Sequence, residues 1–111
     1  MAAKYNITID EGATYKVGFT FRHDDDSLWD LTYCSVNMKI KNKHDGNISI
    51  DVSEYFTLGG ETGTAVLAVP ANVFSNIGFI RGVYDLEIVN NQSTEVTKML
   101  YGTVLVNQEV V

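Results

Sequence analysis

The sequence predicts an all-β domain built as an antiparallel β-sandwich, and three observations carry that prediction. Apolar and polar residues alternate through long stretches. Tyr15, Val17, Phe19 and Phe21 interleave with Lys16, Gly18, Thr20 and Arg22, and Cys34, Val36, Met38 and Ile40 with Ser35, Asn37, Lys39 and Lys41. A period of two gives a strand one apolar and one polar face. Turn signals recur every ten or so residues across about eight strand candidates, the spacing of a sandwich. Finally, the aromatic residues, six Tyr, five Phe and one Trp, favour strands over helices.

Taken in order, Tyr5, Ile7 and Ile9 alternate with Asn6, Thr8 and Asp10 as a first strand. Glu11-Gly12-Ala13 turns the chain, with Gly12 free to take positive φ. A strand over 14–22 follows, then a polar, mobile connection over 23–27. Residues 28–31, with Leu28, Trp29 and Leu31, read as a short edge strand or an apolar plug over the core. The next strand covers 33–41. Asp45-Gly46 is a strong turn dipeptide, which makes Ile48, Ile50 and Val52 the hairpin partner of that strand. A short strand over 55–58 ends at the glycine-rich break Gly59-Gly60-Glu61-Thr62-Gly63. Residues 64–69 are apolar on both faces and read as a central, covered strand. After Pro70, the sole proline, Val73, Phe74 and Ile77 are spaced as one or two helical turns, the only helix candidate. Tyr84, Leu86 and Ile88 alternate with Asp85 and Glu87, residues 90–94 turn the chain, and the last strand runs over 95–106. Gly102 marks a bulge or bend within it. The apolar phase places Phe19, Phe21, Val36, Met38, Leu86 and Ile88 in the core, and Pro70 is the one residue suited to blunting a sheet edge.

A chain of 111 residues is expected to form one domain over 1–111 and to bury about two-thirds of its unfolded surface. A net charge of −6 argues against a nucleic-acid partner, which requires a Lys/Arg surplus. Cys34 is the only cysteine, so no intrachain disulfide can form. No apolar run follows Met1-Ala2-Ala3-Lys4, and neither a signal peptide nor a membrane span is expected. The glycosylation-like triplets at Asn6, Asn47 and Asn91 read as chance matches.

No constellation in the sequence argues for catalysis, a cofactor or a metal. Asp24-Asp25-Asp26 with Asp30 offers carboxylates for Ca²⁺ but lacks the alternating spacing and terminal Glu of a calcium loop, so it reads as a solvated connection. His23 and His44 are too few for zinc, and Cys34 lies on the apolar phase of its strand. The Gly59-Gly60 and Gly63 stretch precedes a strand rather than a helix, so it is a turn and not a phosphate cradle. Lys39, Lys41 and Lys43 share one strand face, which reads as solvated. Trp29 is either a sugar-stacking platform or, given Leu28 and Leu31, a core plug.

Several pieces together resemble a group of small β-sandwich virion proteins of tailed bacteriophages, with patterns similar to the start of baseplate upper proteins. The pieces are Glu11-Gly12-Ala13-Thr14-Tyr15, Phe19-Thr20-Phe21-Arg22, Asp30-Leu31-Thr32, Met38-Lys39-Ile40-Lys41, Tyr84-Asp85-Leu86-Glu87 and Gly102-Thr103-Val104. They cover nearly the whole chain in order. Two departures stand out: Tyr33 follows the Leu-Thr pair where the pattern has Gly, and Asp26-Ser27 replaces an Asp-Gly turn. The resemblance implies an immunoglobulin-like sandwich of about 7–9 strands with one short helical turn. It also implies a non-enzymatic structural role in the tail, baseplate, neck or capsid surface of a particle assembled in a bacterial cytoplasm. The implied partners are other virion proteins and further copies of the chain, with no nucleic acid and no membrane. A carbohydrate-binding module is the alternative. The C-terminal residues Asn107, Gln108, Glu109, Val110 and Val111 are the candidate partner-binding segment, because two terminal valines gain nothing from exposure to water. A frayed tail is the competing reading.

Overall fold

A computed structural model describes residues 2–43, 49–74 and 81–107 of the protein. Nine strands form among them: β1 (Ala3–Lys4), β2 (Ile7–Asp10), β3 (Tyr15–Thr20), β4 (Cys34–Asn42), β5 (Ser49–Asp51), β6 (Phe56–Leu58), β7 (Thr64–Val69), β8 (Arg81–Asn90) and β9 (Val96–Asn107). They make two layers. The larger sheet runs β5-β4-β8-β9, and β1 and β2 both pair with the outer side of β9, in parallel. The smaller sheet runs β3-β7-β6, all antiparallel. The fold is therefore the predicted all-β sandwich, antiparallel except where the N-terminal strands join β9.

Strict alternation explains the core. Val36, Met38 and Ile40 of β4, Tyr84, Leu86 and Ile88 of β8, Leu100, Val104 and Val106 of β9, and Ile7 and Ile9 of β2 all point inward and are buried. Ala65, Leu67 and Val69 of β7 face them. Leu31, Val52 and Phe74, from the connections, close the open sides. Five of the six predicted core residues are buried, and Phe19 is the exception. It is half-buried because β3 is an edge strand with a neighbour on one side only. The Tyr5 ring partly covers it, edge-on at 5.5 Å.

Several expectations are corrected. Strand β7 is central in its sheet but only one of its faces is covered: Ala68 is exposed and Val66 half-buried. Pro70 follows this central strand, so it ends β7 and blunts no edge. Short 3-10 turns occur at Ser53–Tyr55, Gly60–Thr62 and Ala71–Val73, where one was expected after Pro70; Ile77 lies outside the described residues, as do Asp45-Gly46 and Ile48. The bulge in β9 is at Met99: Leu86 pairs with Leu100 and Glu87 with Lys98, leaving Met99 unmatched. Gly102 serves a different purpose. The chain breaks from β9 at Tyr5–Asn6, between β1 and β2, and a Cβ on Gly102 would lie 2.9 Å from the Tyr5 carbonyl carbon. The Tyr84 hydroxyl donates to the Tyr5 carbonyl oxygen at 2.5 Å, and the Asn6 side-chain oxygen accepts from Thr103 N–H at 3.2 Å. The absent side chain of Gly102 gives the N-terminal strand room to cross.

Candidate interaction surface

The acidic stretch is a closed turn rather than a loose connection. His23 N–H donates to Ser27 O at 2.8 Å, Asp26 N–H donates to His23 O at 2.9 Å, and Asp26 takes a left-handed φ of 71°, which Asp tolerates better than most residues. The Asp25 carboxylate accepts from the Ser27 hydroxyl at 2.5 Å and from Ser27 N–H at 3.0 Å, which holds its pKa below the usual carboxylate range. Asp30 makes the same pattern with the hydroxyl and N–H of Thr32 and is lowered for the same reason. Arg22 donates to Asp26 O at 3.0 Å, and its Nε lies 4.0 Å from the Asp26 carboxylate. Among the described residues no three His, Cys, Asp or Glu side chains converge to hold a metal; His44 lies outside them. Cys34 is half-buried, and burial, with Asp30 nearby, pushes its thiol pKa up, away from the reactive thiolate.

Of the three apolar residues that follow, Leu31 is the plug, with 1% of its surface exposed, while Leu28 is 42% exposed. Trp29 is half-buried against the core, and its ring stacks on His23 with centroids 4.4 Å apart.

The outer face of the large sheet carries the remaining candidates. Lys39 and Lys41 project from it, as the strand phase requires, but Lys39 sits in register between Asp51 of β5 and Asp85 of β8. Asp85 is in turn 3.4 Å from Lys98, which lies opposite Glu87. The middle of the face is thus a ladder of alternating opposite charges, around a shallow concavity of about 400 Å³ lined by Lys39, Lys41, Asp51, Asp85 and Glu87 among others. The end near Asn42 differs. There Lys43 and Arg81 line a second concavity of about 230 Å³ with Thr103 and Leu105. Val83, Tyr101 and Leu105 are 40%, 42% and 40% exposed on the same face. This cluster is inconspicuous in sequence apart from one signal: residues 99–106 carry apolar side chains in both phases, and only one phase can face the core.

The backbone edges of β3 and β6 in the small sheet, and of β5 and the β1–β2 pair in the large sheet, have a strand on one side only. Of the C-terminal candidates, Asn107 is an ordered strand residue: it pairs with Asp10, donates to the Asp10 carboxylate at 3.0 Å and accepts from Glu11 N–H at 2.9 Å. Gln108, Glu109, Val110 and Val111 lie outside the described residues. No protein-family model matches the chain, and no curated protein matches it.

Proposed function

We propose that this chain is a structural interaction module of a tailed-phage virion, acting without catalysis, in several copies, by binding other virion proteins. The observation that carries the reading is how the resembling pieces fall on the fold. Glu11 to Tyr15 form the turn into β3, Asp30-Leu31-Thr32 the plug, and Met38 to Lys41, Tyr84 to Glu87 and Gly102 to Val104 the adjacent middle strands of the large sheet. They therefore form one connected framework. The strand order supports an immunoglobulin-like reading: the second, fourth and fifth strands of such a fold correspond to β3, β6 and β7, and the third, sixth and seventh to β4, β8 and β9. Density-gradient purification of the particles, followed by mass spectrometry, tests it. The chain should band with complete particles, and recovery only in the soluble fraction would contradict the assignment.

Carbohydrate binding is the second reading, favoured by the partly exposed Trp29 indole. Its stack on His23 leaves at most one ring face for a sugar. Glycan binding that disappears in Trp29→Ala, with the fold retained, would move this reading to first place.

A further inference from the structure

We infer that copies of this chain dock head to tail, the cationic end of the large sheet's outer face receiving the acidic end of the next copy. The inference deepens the virion reading and rests on it for its purpose. Strand register defines the two ends. β4 runs from Cys34 to Asn42, and β8 returns from Arg81 to Asn90; eight steps along β4 span roughly 26 Å. At the Asn42 end, Lys41, Lys43 and Arg81 are exposed on the outer face of the sheet, and the nearby carboxylate of Asp10 on β2 accepts from the Asn107 side chain at 3.0 Å. No ion pair engages any of the three among the described residues. Lys43 N–H donates to Arg81 O at 3.1 Å, so two like charges stand on neighbouring strands. That arrangement is unfavourable within one chain, and an anionic partner relieves it. Val83, opposite Lys41, and Leu105, opposite Arg81, supply apolar surface beside them.

The opposite end has the complementary character. Asn91 N–H donates to Tyr33 O at 2.9 Å and Leu31 N–H to Gly60 O at 2.9 Å, which gathers the acidic turn and the connections around 60 and 91 at one pole. Asp24, Asp25, Asp26, Asp30, Glu61 and Glu95 are exposed there, with Arg22 the only Lys or Arg in those segments. Leu28 and Tyr33, 42% and 58% exposed, give this pole apolar surface of its own. Two different surfaces meeting in this way make a heterologous contact, which propagates as a ring or an array rather than stopping at a dimer.

Sedimentation of the purified full chain tests the contact separately from particle assembly. At low salt and up to about 1 mM protein, association is expected, weakening as salt screens the charges. Lys43→Glu/Arg81→Glu should weaken it by about tenfold or more, as should Asp24→Lys/Glu61→Lys. Mixing the two double variants should restore it, because each then offers the other a complementary end. Circular dichroism establishes that both variants fold. A wild-type chain that stays monomeric throughout, or association that neither double variant weakens, or a mixture no better than its components, overturns the inference. The virion reading fails separately, by absence of the chain from purified particles.

Discussion

Apolar packing holds the two layers together, while single hydrogen bonds fix strand ends and crossings within the large sheet. Ser53 extends the β5 pairing with its side chain: its hydroxyl accepts from Met38 N–H at 2.8 Å. Ser53→Ala leaves a partly buried N–H without that partner and should cost about 1–3 kcal/mol in chemical denaturation. Tyr84→Phe removes the donor to Tyr5 O and should cost a similar amount. Burial raises the Tyr84 pKa, and pushes that of Tyr15 up to about 12. A folded-state pKa above the unfolded value contributes stability below about pH 10 that is lost as pH rises further. The alkaline fall in melting temperature should therefore be shallower in Tyr84→Phe. Asp25, Asp30 and Asp51 are shifted the other way, each by the hydroxyl and N–H of the residue two positions on. Their contribution is present above about pH 4 and is lost as pH falls through the lowered values. Replacing all three with Asn should flatten the acid side of the stability profile.

At the scale of strands, packing separates residues that share a sequence phase. Phe21→Ala should cost about 3–5 kcal/mol, and Phe19→Ala clearly less, because only Phe21 is buried. Equal losses would mean that the β3 edge is covered in the free chain. Gly102→Ala places a methyl group against the Tyr5 carbonyl. It should lower the melting temperature and speed amide exchange selectively in β2, whose pairing with β9 resumes just beyond the crossing. The strands themselves were legible from alternation: β4 and β9 lie within a residue of their expected limits, while β8 begins three residues before the alternation that starts at Tyr84. The way the N-terminal segment joins β9 was not, since parallel pairing between residues 97 positions apart leaves no local signature. Glycine is a visible marker, so a bulge or bend is expected at Gly102, whereas Met99 bulges through a register shift against β8 that no local residue announces. Residues 64–69 read as covered because both phases are apolar, yet Val66 is only half-buried and Ala68 exposed.

The molecule as a whole measures 46 × 24 × 23 Å and carries its surface chemistry unevenly along its strands, with carboxylates gathered at one end and, at the other, Lys41, Lys43 and Arg81, which form no ion pair among the described residues, beside apolar side chains. Composition alone reported only the net charge. The cationic end became visible once register placed Lys43 beside Arg81, residues 38 positions apart in sequence. The C-terminal candidates divide similarly. Asn107 belongs to the sheet, so a truncation that probes the tail must begin at Gln108; incorporation into particles should fall while the melting temperature stays unchanged if the tail docks. The proposed role requires the outer surface of the sandwich to be covered inside a particle. Hydroxyl-radical footprinting of intact particles against the free chain tests it most directly. Val83, Tyr101 and Leu105 should be strongly protected in the particle relative to the free chain. Equal labelling of Val83, Tyr101 and Leu105 in both states would contradict the claim.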